Sequence, residues 1–311
     1  MLFYGGCAPV RNGAGSTAPD HSDWSPAMWD RNTVEAKATR MRADIVEMIA
    51  TAGSGHPGGS LSAADIVSTL YFGGVLRHDP ARPDWPERDR FILSKGHAAP
   101  VLYSALAEAG YFGRDHLSTL RKLGSILQGH PDSKKTPGVE VSTGSLGQGL
   151  SISCGLAAGL RGGDLPEHIT DDRTVFCLMG DGELQEGQVW EAAMFAAHEK
   201  LGNLVAIVDH NGLQIDGACT EVMCLGTVAS KFAAFEWSVT EIDGHDLEQI
   251  RDALEAAKAY TAGPSMIVAH TIKGKGVSFM EGDAGWHGKA PSPEQVAAAL
   301  VELGVTEGSQ A

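Results

Sequence analysis

The stretch MGDGELQEGQVW, residues 179–190, has the glycines of a phosphate-binding turn but places only acids among them: Asp181, Glu183 and Glu186. Gly180, Gly182 and Gly187 leave the backbone free to approach an anion. Acids at such a turn make sense if the anion is held through a cation. About thirty residues later, VDHNGLQIDG sets Asn211 beyond a second apolar run, followed by Gly212 and Leu213. A carboxylate, an amide oxygen and a backbone carbonyl are hard ligands suited to Mg²⁺ or Ca²⁺, ions that complete their shell with water and phosphate oxygens. A lone G-D-G is an ordinary turn, whereas the G-D-G followed at this distance by an asparagine is a far more specific signal.

Four further loops combine glycine with histidine: GSGHPGGS (53–60), SKGHAAP (94–100), LQGHPD (127–132) and GWHGKAP (285–291). Of twelve histidines, His56, His97, His130, His245 and His287 adjoin a glycine, where the backbone can bring an imidazole close to a ligand. Proton transfer or hydrogen bonding fits them better than zinc, because no H-x-x-x-H pair or cysteine companion is present. Gly53, Gly55 and Gly58 form a formal G-x-G-x-x-G, but it follows a helix, whereas a dinucleotide fingerprint follows a strand. No G-x-x-x-x-G-K-[ST] occurs. VEVSTGSLGQGLS (139–151) brings Gly144, Gly147 and Gly149 into a helix start, where free amides can meet a ligand.

The elements that carry these loops follow from periodicity. From Thr33, TVEAKATRMRADIVEMIATA puts Met41, Ile45, Met48 and Ile49 on one helical face and stops at Gly53. LSAADIVSTLYF, APVLYSALAEAGYF (closed by Gly110 or Gly113) and SISCGLAAGLR read as further helices. TVFCLM, LVAIVD, WSVTEI and SMIVAH read as strands, with helical GQVWEAAMFAAHEK and LEQIRDALEAAKAY between them. This rhythm predicts an α/β fold, a doubly wound, mostly parallel sheet with helices on both faces. Ligands in such sheets bind beyond the carboxyl ends of the strands, where both GDGELQEG and HNGLQIDG fall.

Composition bounds the rest. Asp and Glu outnumber Lys and Arg by 39 to 24, a net charge of −15 that argues against a nucleic-acid partner. Five cysteines form no C-x-x-C pair, which points to free thiols in a reducing cytoplasm. The longest apolar runs have strand length, so no membrane span is expected. The first thirty residues, rich in Gly, Ala, Pro and Ser, read as a flexible arm without the pattern of a signal peptide.

The pair GDGELQEG…VDHNGLQIDG resembles the thiamine diphosphate signature. SGHPGGSLSAAD, DRFILSKGHAAPVLY, QGHPD, GVEVSTGSLGQGLS and HTIKGKGVSFME…WHGKAP narrow the resemblance to the transketolase family, from about Thr33 to Pro291. It implies an arm over 1–30, a thiamine diphosphate domain (the PP domain) over 31–291 and a C-terminal helix and tail over 292–311. It also implies the N-terminal subunit of a split transketolase, active with a C-terminal subunit that carries the pyrimidine and C-terminal domains, as an α2β2 assembly. The implied reaction moves a two-carbon ketol unit from a ketose phosphate to an aldose phosphate through the cofactor's ylide, in the pentose phosphate pathway. The alternative is an unusual sugar in a specialised pathway. Non-catalytic scaffolds and oxoacid dehydrogenase first subunits fit the retained histidine loops less well.

Carried over by residue, Asp181, Asn211 and the Leu213 carbonyl bind Mg²⁺, with Ca²⁺ or Mn²⁺ as substitutes. Gly180, Gly182, Glu183 and Asn211 meet the diphosphate side of the cofactor, and Gly144, Ser145 and Leu146 its aminopyrimidine. His56, His97, His130 and His287 line the route to the reacting carbon, with His97 and His287 also touching the cofactor. His56 and His287 are expected to move the substrate proton because an imidazole titrates near working pH. Glu186 and Glu191 match an interfacial hydrogen-bond network that links paired sites. Three features depart from the family pattern: His210 beside Asn211, the apolar stretch 224–237, and Glu236 where glycine is expected.

Overall fold

The computed structural model describes residues 24–162 and 172–305. Most of the expected N-terminal arm, Cys7 and the last residues of the tail therefore lie outside the described residues.

The chain opens with α1 (Arg31–Ala52), whose start is set by Asp30 accepting from the amides of Asn32 and Thr33. Gly53, at φ 65°, ends it in the left-handed conformation that glycine adopts without strain. The helix expected over LSAADIVSTLYF is instead two, α2 (Pro57–Ser62) and α3 (Ala64–Phe72), parted at Ala63. At the end of α2 the Ser62 hydroxyl reaches Asp209 at 2.6 Å, a long-range contact that local periodicity does not encode.

Next come β1 (Arg90–Leu93), α4 (Ala99–Ala109, closed by Gly110), α5 (Gln148–Gly162), β2 (Val175–Gly180), α6 (Gly187–His198) and β3 (Leu204–His210). A short hairpin of β4 (Leu213–Gln214) and β5 (Gly217–Ala218) follows, then α7 (Cys219–Val222) and α8 (Val228–Ala234). The chain finishes with β6 (Ser238–Asp243), α9 (Leu247–Ala259), β7 (Ser265–His270) and α10 (Pro293–Glu302). The strand β1 was not legible as such, because four residues are too few to show a period.

Five strands form one parallel sheet in the order β1-β2-β3-β7-β6. Their side chains alternate between two cores. Phe91, Leu93, Phe176, Leu178, Val205, Ile207 and Ile267 join the core that includes α1, α3, α4 and α9. Ile92, Val175, Cys177, Met179, Leu204, Ala206 and Val268 join the core that includes α5, α6 and α8. Burial on both faces explains why these strands read as unbroken apolar runs. Each fully buried aliphatic side chain contributes about 1.5–3 kcal/mol, so the sheet is a rigid platform for its loops. Among the described residues no helix is long and apolar enough to cross a membrane, and Cys154, Cys177, Cys219 and Cys224 are free thiols.

The apolar stretch 224–237 has a packing reason: Val228, Phe232 and Trp237 are buried, and the Trp237 indole N–H donates to the Ala193 carbonyl on α6. Glu236 takes φ 66° at the turn between α8 and β6, so an acid occupies a left-handed position suited to glycine. Glu236→Gly should leave the fold intact and raise its stability by up to about 1 kcal/mol in urea unfolding, relief of the left-handed strain outweighing glycine's extra chain entropy.

Candidate cofactor and catalytic site

Strand register assembles the site. Gly180 pairs with Asp209 and Asp209 with Ala269, so the carboxyl ends of β2, β3 and β7 deliver Asp181, Asn211 and Thr271 side by side. The missed strand β1 matters here, because Leu93 pairs with Leu178 and places Ser94, Lys95 and His97 at the same edge. A cavity of about 190 Å³ opens there, lined by Gly59, Lys95, His97, Leu146, Gly180–Glu183, Asn211, Leu213–Ile215, Lys273 and His287. A larger recess of about 910 Å³ lies on the flank of α1 and α4, but none of the residues singled out from the sequence as site candidates lines it.

Beneath the cavity is a buried ion pair. The Asp209 carboxylate, fully buried, accepts from the Lys95 ammonium at 2.5 Å, from the Asn211 amide at 3.1 Å, and from the hydroxyls of Ser62 and Thr271. Burial alone would raise its pKa, but Lys95 and these donors hold it below the ordinary carboxylate value. Lys95 also donates to the Gly59 carbonyl at 2.7 Å.

Asp181 is also buried, and its carboxylate accepts from two backbone donors, the Gly182 amide at 2.8 Å and the Gly212 amide at 2.5 Å, with the Cys219 thiol also beside it. Burial and the nearby Asp209 charge raise its pKa. Asn211 turns its side-chain oxygen to the Leu213 amide at 3.1 Å, and the Leu213 carbonyl accepts from Lys273 at 3.0 Å. The donor set fits a hard cation: one desolvated carboxylate and two neutral oxygens face one cavity. Among the described residues no group of three or more His, Cys, Asp or Glu is placed to hold a metal, so an ion here would rely on these neutral oxygens and on its anionic ligand.

Two lysines that sequence reasoning passed over belong to this site, since a lone lysine in SKGH or TIKGKG reads as a surface group. The Lys273 ammonium, 2% exposed, donates to Leu213 and to His287 Nδ1 at 2.9 Å and has no carboxylate partner among the described residues. Burial, and next the Lys95 charge, lower its pKa to about 8. An anion in the cavity would offset that cost. Gly58 makes room, because a Cβ there would lie 3.0 Å from the Lys273 side chain.

His56, His97 and His287 form a triangle with ring centroids 5.1–5.4 Å apart. His130 joins from the 127–132 loop, packed against Gly144. The expectation of imidazoles titrating near neutral pH is corrected here. Burial, reinforced by Arg121, His130 and Lys273, lowers His56 to about 4. Burial and Lys273 lower His287 to about 4, and burial with Lys95 lowers His97 to about 2. His130 is lowered by burial and Arg121. All are therefore neutral at neutral pH. His287 Nδ1 accepts from Lys273, which leaves its proton on Nε2. His56 Nδ1 is buried without a hydrogen-bond partner among the described residues.

The other residues fall in three places. Leu146 lines the cavity, while Gly144 and exposed Ser145 lead up to it. The Glu183 carboxylate clamps three loops by accepting from the Ser94 hydroxyl, the Gly147 amide at 2.9 Å and the Gly180 amide at 3.0 Å. Glu186 and Glu191 are exposed and do not line the cavity. His210 is half-buried, edge-on to His270 at 5.0 Å.

A parallel α/β sheet with a cavity at its carboxyl edge, lined by oxygens and two buried lysines, has the architecture of a cofactor-binding protein. Comparison with known proteins makes the class specific. The family model "Transketolase, thiamine diphosphate binding domain" matches residues 33–310, and the chain belongs to the transketolase family. It is 44% identical to the 6-deoxy-6-sulfo-D-fructose transketolase subunit SqwG of a Clostridium species, over 87% of this chain and 96% of that protein. It is 41% identical to a subunit of the apulose-4-phosphate transketolase of Phocaeicola vulgatus, over 87% of this chain and 94% of that one. The solved transketolase of Campylobacter jejuni matches with a TM-score of 0.81 and 36% identity, over 89% of this chain and 43% of that chain. The chain thus spans less than half of the solved transketolase and nearly all of the two subunits.

Lys95→Met, which leaves Asp209 buried without its cation, should cost about 3–5 kcal/mol in urea unfolding. Because the folded chain holds these histidines less protonated than the unfolded chain, their contribution is full above about pH 6.5 and is lost as pH falls toward about 4. Stability measured at about pH 7, 6 and 5 should fall stepwise, and a His56→Gln/His287→Gln variant should show the shallower slope.

Proposed function

We propose that this chain is the diphosphate-binding subunit of a two-chain transketolase, active with a partner subunit that carries the pyrimidine-binding domain. The observation that carries the reading is the convergence of Asp181, Asn211, the Leu213 carbonyl and Lys273 on one cavity, bordered by neutral histidines. The near-complete span of relatives named as transketolase subunits supports the two-chain form, and a heterotetramer is the assembly expected for it.

In this reading Asp181, Asn211 and Leu213 would hold Mg²⁺ and Lys273 would meet the diphosphate, joined by the Gly182 amide once Asp181 turns from it to the metal. Leu146 and Ile215 give apolar surface for the ring portion. Thiamine diphosphate, when bound, supplies the carbon nucleophile and carries the two-carbon unit from ketose to aldose. The chain's own contribution is orientation and proton handling. His287 Nε2–H donates to a sugar hydroxyl, His97 braces it, and the unpartnered Nδ1 of His56 gives that triangle one nitrogen free to take a proton. Neutral His56 keeps a lone pair for a hydroxyl, and the Lys273 and Arg121 charges that lower its proton affinity suit the group to orienting that hydroxyl more than to holding its proton. Glu186 and Glu191, exposed beyond the cavity, are available to join an interfacial hydrogen-bond network that links paired active sites.

The sugar is a second question, and the names of the relatives favour an unusual one. One is named for 6-deoxy-6-sulfo-D-fructose and another for apulose 4-phosphate. We read this chain as a transketolase subunit of specialised carbohydrate metabolism, working in the cytoplasm, with ordinary pentose phosphate donors as the competing reading. Assay of the reconstituted pair against 6-deoxy-6-sulfo-D-fructose, apulose 4-phosphate and ordinary ketose phosphates decides it, and a preference for xylulose 5-phosphate would overturn the specialised reading.

Asp181→Asn should weaken Mg²⁺-dependent thiamine diphosphate binding in the assembled pair by on the order of a hundredfold, the upper end of what loss of an outer-shell partner costs. Titration calorimetry reads this directly; unchanged affinity would remove Asp181 from the metal site.

A further inference from the structure

His245, one of the five glycine-adjacent histidines, lies outside the cavity and has no part in the chemistry above. We propose that it is a positioning residue: with Asp65 it fixes the backbone that delivers the Lys273 ammonium to the cofactor. The inference rests on the function proposed above, which makes the cavity a diphosphate site.

The geometry is a relay of three partners. His245 Nε2 accepts the Ile272 amide at 2.8 Å. A backbone amide can only donate, so Nε2 carries the lone pair and Nδ1 the proton. That proton is donated to the Asp65 carboxylate at 2.7 Å. Asp65, 7% exposed at the start of α3, is held in turn by Arg42 of α1 at 2.6 Å.

The same Arg42 donates through Nε to the Lys275 carbonyl at 3.1 Å. Asp65 thus reaches the chain on both sides of Lys273, through His245 at Ile272 and through Arg42 at Lys275. The grip matters because this segment is not regular structure: Gly274 and Gly276 adopt φ 80° and 92°, and while Gly274 bonds the Gly58 carbonyl and Gly282 the Lys273 carbonyl, the Ile272 amide beside Lys273 is held by His245. Lys273 is buried, and its ammonium bonds only the Leu213 carbonyl and His287 among the described residues. A shift of its backbone moves the charge away from the anion and from His287 together. Outer hydrogen bonds of this kind orient a binding group without touching the ligand.

The experiment is a set of calorimetric titrations of thiamine diphosphate with excess Mg²⁺ into the full chain assembled with its partner subunit. His245→Asn keeps a donor for Asp65 but cannot reach Ile272, and it should weaken binding by on the order of tenfold. His245→Gln places an oxygen near the position of Nε2, accepts the Ile272 amide and should recover most of the loss. In a Lys273→Met background the His245→Asn change should cost less than about twofold, because the two act through one interaction. Thermal unfolding midpoints close to wild type for both His245 variants exclude general destabilisation. Wild-type affinity in His245→Asn, failure of His245→Gln to recover, or an undiminished loss in the Lys273→Met background would each overturn the proposal. Absence of thiamine diphosphate binding by the wild-type assembly overturns the functional reading, and the positioning role with it.

Discussion

The buried pair between Lys95 and Asp209 is the contact on which the site depends. One carboxylate collects the Lys95 ammonium, the Ser62 and Thr271 hydroxyls and the Asn211 amide. Those partners come from the ends of α2, β1, β3 and β7, the segments that carry the glycine-rich histidine loop, His97, the Asn211 and Leu213 oxygens and Lys273. An isolated charge in such surroundings is very costly, so the pair is stable only while all its partners are in place. Stability and site geometry are therefore the same constraint seen from two sides.

A second consequence is electrostatic. Asp209 is neutralised from below, which leaves Asp181 and Lys273 facing the cavity without mutual hydrogen bonds. The raised pKa of Asp181 and the lowered pKa of Lys273 share their first cause, burial, to which the like charges of Asp209 and Lys95 respectively add. A divalent cation and a diphosphate would relieve both. The same burial keeps His56, His97 and His287 neutral, so the site offers imidazole donors and acceptors rather than a cluster of cations.

Much of the fold was legible along the chain. SMIVAH is β7 residue for residue, and LVAIVD, TVFCLM and WSVTEI differ from β3, β2 and β6 by a residue or so at an end. Long apolar runs between amphipathic helices leave little choice but a parallel sheet covered on both faces. What escaped was short or set by distant contacts: β1, with four residues, and the break at Ala63 that lets Ser62 reach Asp209. Glu236 was visible as an oddity where glycine was expected, and its left-handed backbone gives that oddity a conformational meaning.

For the site the division is similar. Residue type and spacing alone singled out Asp181, Asn211, Leu213 and the histidine loops, because hard oxygens after successive strands and imidazoles beside glycine are local patterns. Lys95, Lys273 and the link from Asp65 through His245 were not readable, since a buried lysine and a solvated one are identical letters. Nor could the pattern give the charge on the histidines. The sequence by itself determined which groups are available and which edge of the sheet they occupy. Only the tertiary structure decided which of them are buried together, because proton affinity and ion pairing depend on the distance and desolvation that packing imposes.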